Sequence, residues 1–283
     1  MRDELRRHGW GDEAAERMAA AVAAVTAENR TGIAALDFDD TCIAGDLGDA
    51  IFHHAAEAGS LAADALPGWV SSAPPGALDW LAAAEHALAA GGPPRAYGFV
   101  LEAFAGWPLE AFRAHCRATL AAELEAAVGG RQLGGPSGPR VRSGIRFRTR
   151  VGALVGRLHD LGWQVWVVSG SAEWAVEVAV ERFGVAPGRV RGQRVVVRDG
   201  VLTGEGGGPA VFGPGKVAVL EPLLEHPPDL ALGDSPNDRE LLGWARAAVV
   251  MDAGDANSLG RETPARGWAV EPTGAVWRPE LFG

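Results

Sequence analysis

Apolar residues recur along this chain with two different periods. Between residues 12 and 28, Ala, Val and Met return at a spacing near 3.6 among acidic positions, which predicts a helix. The run Gly32 to Leu36 is apolar on both faces, as in a central parallel strand covered by helices, and polar residues begin abruptly at Asp37. From Asp46 to Val128 the spacing is helical, broken at Pro74-Pro75, Gly91-Gly92-Pro93-Pro94 and Trp107-Pro108, with no strand pattern. Gly129 to Gly144 holds glycines and prolines with little apolar content and predicts a flexible return linker or an exposed loop.

A second stretch alternates helix and strand. Helices are predicted at Thr149–Leu161, Glu173–Phe183, Lys216–Leu224 and Arg239–Ala245, and strands at Gln164–Val168, Asp229–Leu232 and Ala247–Met251. A turn is predicted at Ser169-Gly170-Ser171, a hairpin turn at Asp199-Gly200, and an acidic turn from Gly233 to Asp238. Strands alternating with helices imply an α/β fold with a doubly wound parallel sheet. The helical stretch reads as an insertion, so residues 1–45 and 146–283 form the predicted core, with an inserted helical cap over 46–145 whose return linker is 129–144.

Composition narrows the possible partners. A chain of 283 residues with 47% hydrophobic content can build one large α/β domain with an insertion. A formal charge of -10 without any Lys/Arg block argues against nucleic acid or an anionic membrane surface as the main partner. Cys42 and Cys116 have no metal-type spacing and read as buried thiols. With no signal-type N-terminus and no run of about 18 apolar residues, a cytoplasmic monomer or homodimer acting on a small molecule is the expectation. Of the 26 basic residues all but Lys216 are arginine.

Four polar clusters fall at the carboxyl ends of predicted strands or at a helix start, where open parallel sheets place their ligands. They are Asp37-Phe38-Asp39-Asp40-Thr41, Ser169-Gly170, Lys216, and Gly233-Asp234-Ser235-Pro236-Asn237-Asp238. In this order they resemble the four motifs of the haloacid dehalogenase superfamily, nearest to its phosphatase branch with a helical cap after the first motif. The resemblance implies a Rossmann-like core, a Mg²⁺-dependent phosphomonoester hydrolase and an aspartyl-phosphate intermediate, with Asp37 as nucleophile and Asp39 as acid/base. An acid at the second position marks the family's phosphatases and is lacking in its dehalogenases.

The chemistry can also be followed from the residues. An anionic ester attacked by a carboxylate needs neutralising charge, which a hard dication supplies. Asp37 and Asp234, with the backbone carbonyl of Asp39, would ligate magnesium through oxygen, and Asp238 could hold a ligand or a metal-bound water. Asp40 could be a bystander. Ser169 and the amides of Gly170 or Ser171 could donate to a phosphoryl oxygen; the plain alternative for Ser169 is a helix N-cap. Lys216 could neutralise both Asp37 and the phosphate, against the alternative of a solvated lysine. For Asp234 and Asp238 the alternative is an acidic helix-capping turn, and for Asp37 and Asp39 mere turn residues.

In the cap, Asp46 stands where phosphoserine phosphatases carry an acid that resembles a holder of the substrate's ammonium group; helix capping is the even alternative. The substrate could therefore bear an amino or quaternary-ammonium group, phosphoserine- or phosphocholine-like. Trp69, Trp80, Tyr97 and Trp107 could enclose such a cation or form core, and Arg95, Arg113 or Arg117 could meet a carboxylate. His53 and His54 read as structural or exposed. A phosphotransferase to an alcohol acceptor, or a non-catalytic binding module on the same fold, are the competing readings.

Overall fold

The computed structural model describes residues 1–68, 70, 75–254 and 259–274. Trp69 and Pro74 lie outside the described residues. Six parallel strands form the main sheet: β1 (Ile33–Leu36), β2 (Gln164–Ala172), β3 (Val190–Gln193), β4 (Leu230–Gly233), β5 (Ala248–Asp252) and β6 (Ala269–Pro272). Their spatial order is β3-β2-β1-β4-β5-β6. The chain winds outward through β2 and β3, then returns to lay β4 on the other side of β1, which places a topological switch point at the end of β1.

Burial shows why both faces of these strands are apolar. Ala34, Leu36, Val165, Val167, Leu230 and Leu232 pack into one core with the helices α2 (Asp12–Ala27), α3 (Leu47–Glu57), α6 (Thr149–Asp160) and α7 (Glu173–Val180). Their alternates Ile33, Ala35, Trp166, Val168 and Ala231 pack into a second core with α8 (Pro214–Leu220) and α9 (Arg239–Trp244). The sheet is thus covered on both sides, the α/β arrangement expected from alternating strands and helices. A short helix, α1 (Arg2–Arg7), precedes these. Asp229 aligns β1 with β4: its Oδ2 accepts from Ile33 N–H at 3.0 Å and from Arg30 at 2.8 Å.

The stretch after β1 is helical as its spacing predicts, with α3, α4 (Ala77–Glu102) and α5 (Leu109–Glu125). Gly91 and Gly92 break the helical geometry of α4 ahead of Pro93-Pro94, and Pro108 caps α5. The expected linker over 129–144 is corrected. Gly129–Gln132 and Arg140–Ser143 pair as an antiparallel ribbon, because Leu133 and Val141 are buried and anchor it despite its glycines. The Asp199-Gly200 hairpin forms between Val195–Arg198 and Val201–Gly206, with both turn residues at positive φ. Two sheet strands, β3 and β6, had no strand pattern; β3 carries Arg191 and Gln193 and lies at an edge.

Candidate active site

Sheet register assembles the site. Leu36 pairs with Leu232 on one side and Val167 on the other, so Asp37, Asp234 and Ser169, one or two residues further on, emerge at the same rim. Asp37 N–H donates to Leu232 C=O at 2.9 Å, which fixes the backbone as it leaves the strand. The chain then folds on itself through residues 38–45: Cys42 N–H donates to Phe38 C=O at 2.8 Å and Asp40 N–H to Gly45 C=O at 3.1 Å.

Four charged groups converge there. Asp37, Asp234 and Asp238 each offer a carboxylate oxygen within 4.8 Å of the others. Lys216, buried at the first turn of α8, donates to Asp37 Oδ1 and to Asp238 Oδ1, both at 2.6 Å. Asp238 Oδ2 accepts the N–H groups of Asp234 and Ser235 at 3.1 and 3.2 Å, so this residue closes its own turn while holding the lysine. That closure needs Gly233, where a Cβ would sit 2.5 Å from that of Asp238.

Burial works against the Lys216 ammonium, but Asp238 and Asp37 overcome it and hold its proton above the ordinary lysine range. Burial and the Asp238 charge push Asp37 up to about 7, although Lys216 pulls it down. Asp37 and Asp238 share the Lys216 ammonium, the Arg148 guanidinium acts electrostatically on Asp234, and three carboxylate oxygens this close together are the all-oxygen donor set that fits a hard dication. The Asp39 side chain is not in this cluster. It turns the other way, its Oδ1 accepting from Leu47 N–H at 2.8 Å and its Oδ2 from the hydroxyls of Ser169 at 3.0 Å and Ser171 at 2.7 Å. Burial and the Asp46 charge push Asp39 up to about 7 against those hydrogen bonds.

Several expectations are corrected at this point. Residues 169–171 are not a turn: β2 runs on to Ala172, which pairs with Gln193 after a register shift, and α7 begins at Glu173 with Ala172 as its N-cap. Ser169 therefore caps no helix, and the amides of Gly170 and Ser171 are not at a helix start. Asp40 is no bystander, since Arg142 on the ribbon clasps its two carboxylate oxygens at 2.9 and 2.7 Å. Asp46 caps α3, accepting from Asp49 N–H at 2.9 Å. Trp80 is buried core and Trp107 donates to Ser60 C=O, which leaves Tyr97 of the three described aromatics beside the site. His53 is buried, and His54 pairs with Glu123 at 2.8 Å. Both cysteines are buried and free.

The Ser171 hydroxyl, Asp49 and Arg142 were not singled out in the sequence. Ser171 could have been found from strand alternation, which puts it on the same side as Ser169. A pocket opens beside Asp39, lined by Asp46, Asp49, Tyr97 and Ser171 over an apolar floor that includes Phe104 and Phe112.

A parallel sheet that gathers an aspartate, a buried lysine and an acidic turn at its switch point is the frame, and the comparisons place it in a family of hydrolases. The model of the haloacid dehalogenase-like hydrolase family matches residues 34–243, and the chain belongs to that family. Its sequence relatives include the phosphoserine phosphatase of Halobacterium salinarum, 35% identical over 116 residues, covering 40% of this chain and 55% of that protein. The phosphoserine phosphatase of Streptomyces coelicolor is 30% identical over 147 residues, covering 49% of this chain and 32% of that one. The chain thus spans about half of the first relative and about a third of the second. Among solved structures, a protein of unknown function from Anaerococcus prevotii superposes with a TM-score of 0.71 at 15% identity, covering 92% of both chains. One from Bordetella pertussis gives 0.61 at 21%, covering 85% of this chain and 98% of that one. A substrate-bound phosphoserine phosphatase gives 0.51 at 17%, covering 87% of this chain and 95% of that one. These likenesses show the fold. No helix among the described residues is long and apolar enough to cross a membrane.

Proposed function

We propose that the protein hydrolyses a small phosphomonoester through a covalent phosphate on Asp37. The observation that carries this reading is the meeting of Asp37, Lys216, Asp234 and Asp238 in one buried cluster, with Asp39 held separately two residues on. Asp37 and Asp234 are the proposed magnesium ligands, with the Asp39 carbonyl, while Asp238 serves mainly to fix Lys216 and its own turn. Bound there, Mg²⁺ would supply the positive charge that lets a carboxylate approach an anionic ester.

An oxygen of Asp37 attacks phosphorus. The bond from phosphorus to the ester oxygen breaks with its electron pair, and that oxygen takes the proton of the Asp39 carboxyl, which its surroundings retain up to about 7. Asp39, now a carboxylate, takes a proton from water as the water oxygen attacks the phosphorus on Asp37. The phosphorus–Asp37 bond then breaks with its electron pair going to the Asp37 oxygen, releasing inorganic phosphate and regenerating the Asp37 carboxylate and the protonated Asp39. Lys216 keeps Asp37 oriented and can lend an N–H to a phosphoryl oxygen, while Ser169 can turn its hydroxyl from Asp39 to the incoming phosphoryl group. We further propose that residues 46–145 act as a cap over residues 1–45 and 146–283, excluding bulk water during transfer.

Phosphate release from a broad monoester panel tests the reading. Turnover should require added Mg²⁺, stop with a chelator and be abolished in Asp37→Asn. Chelator-resistant turnover, or normal turnover in that variant, would sink it.

A further inference from the structure

Three hydrogen bonds aim the Asp39 carboxyl, and one of their donors has a second task. Oδ1 accepts from Leu47 N–H at 2.8 Å, while Oδ2 accepts from the Ser169 hydroxyl at 3.0 Å and the Ser171 hydroxyl at 2.7 Å. In the phosphatase reading Ser169 turns its hydroxyl to the phosphoryl group, which takes a donor from Oδ2 just when the ester oxygen needs a proton. The oxygen it leaves then has a lone pair free to carry that proton. With Leu47 alone, however, the carboxyl could rotate about its bond to Cβ, because that torsion has only a broad preference of its own. Oδ2 would lose its direction.

Ser171 supplies what Ser169 gives up. It stands near the end of β2, and its two hydrogen bonds do different things. The hydroxyl donates to Asp39, and the N–H donates to Ser169 Oγ at 3.0 Å, which holds that oxygen in place while its own hydrogen stays free to swing. The Ser171 hydroxyl has its room because residue 48, in the first turn of α3, is glycine. A Cβ there would lie 2.6 Å from Ser171 Oγ but 3.4 Å from Ser171 Cβ, so it would displace the hydroxyl and spare the rest of the side chain. Leu47 precedes that glycine, so the strand end and the start of α3 grip Asp39 from two sides.

We propose that Ser171 is a positioning residue for the acid step: its hydroxyl keeps Asp39 Oδ2 aimed at the ester oxygen while Ser169 serves the phosphoryl group, and Gly48 leaves the space for it. This rests on the phosphatase reading above and deepens it. As the phosphorus–oxygen bond breaks with its electron pair on the ester oxygen, the proton on Oδ2 passes to that oxygen, and Ser171 stays bonded to the carboxylate left behind. An alkoxide leaves poorly without that proton, whereas a nitrophenolate needs none. The aim of Asp39 therefore matters for alkyl esters and little for p-nitrophenyl phosphate.

The test compares kcat/KM, with Mg²⁺ and at one pH, for p-nitrophenyl phosphate and for the fastest among phosphoserine, phosphoethanolamine and n-propyl phosphate. This constant ends at departure of the alcohol, before water attacks the phosphorus on Asp37, so the second task of Asp39 does not enter it. In Ser171→Ala the alkyl ester should lose about tenfold and the nitrophenyl ester less than about twofold. Gly48→Ala should lower the same alkyl-to-nitrophenyl ratio. Added to Ser171→Ala it should lower that ratio no further, since the hydroxyl it displaces is gone. An unchanged ratio in Ser171→Ala, as a merely structural role would give, overturns the proposal while leaving the phosphatase reading intact. So does a full further loss in the double variant, or a parent protein that hydrolyses the nitrophenyl ester and none of the alkyl esters. Failure to hydrolyse any ester overturns both.

Discussion

At the scale of single residues, the choice of lysine at position 216 carries the strongest consequence. Its ammonium lies 3% exposed between two carboxylates, each 2.6 Å away. A guanidinium spreads its charge over a planar fork and needs more room than this cleft leaves beside Asp238, whose other oxygen already closes the acidic turn. Lys216→Arg should therefore lower kcat by about 10²-fold or more, the scale of losing one donor in the transition state. Steady-state kinetics of a variant shown by circular dichroism to be folded would check this, and near-normal turnover would remove Lys216 from the machinery. The lysine was legible in the sequence because it is the lone one among 26 basic residues. Asp37, Ser169 and Asp234 were legible because each follows an apolar run at a strand end. Asp49 was not, since a single acid on a helix is ordinary; what sets it apart is the pocket wall it occupies, and only folding supplies that.

At the scale of elements, the ribbon over 129–143 shows where pattern reading fails. Its glycines and prolines outnumber its apolar residues, yet two buried side chains, Leu133 and Val141, suffice to seat it. Hydrophobic periodicity cannot register a strand of four residues with one buried position. Strands β3 and β6 escaped notice because polar residues or proline interrupt them, Arg191 and Gln193 in one and Glu271 and Pro272 in the other, whereas the helices α2 and α6 and the almost wholly buried strands β1, β4 and β5 matched their spacing closely. The ribbon matters to the site because Arg142 reaches from it to Asp40, which sits at φ 55 in the loop carrying Asp37 and Asp39. Removing one partner of a nearly buried pair leaves the other charge uncompensated. Arg142→Met should thus cost about 3 kcal/mol. Adding Asp40→Asn, an amide that tolerates the positive φ, should recover more than half of that loss. Urea denaturation of the single and double variants measures both, and an Arg142→Met protein as stable as the parent would show that the pair contributes nothing.

At the scale of the whole molecule, the question is which part of the helical segment can move to admit a substrate. The hairpin over 195–206 reaches across to the chain ahead of α5. Gly106 N–H donates to Leu202 C=O at 2.8 Å, Leu202 N–H to Trp107 C=O at 2.9 Å, and Leu109 N–H to Gly200 C=O at 2.8 Å. Phe104 packs edge-on against Trp107 and Phe112 at 5.2 and 4.9 Å, which clamps the same stretch from the other side. The pocket wall on α4 is held differently. Tyr97 meets Gly170 and Phe212 by ring contacts alone, and the chain just before it is interrupted at Gly91 and Gly92. A wall from residue 91 to 101 without cross-chain backbone hydrogen bonds among the described residues, following a helical break, opens at lower cost than one tied by three. Opening should therefore swing the portion of α4 from Gly91 to Leu101 while residues 106–109 stay docked on the hairpin. Native-state hydrogen exchange would show it: the amides of Gly106, Leu109 and Leu202 should exchange markedly more slowly than those of Arg95 to Val100, and inorganic phosphate with Mg²⁺ should slow the latter set alone. Equal protection of the two sets would mean that the helices open as one body or not at all.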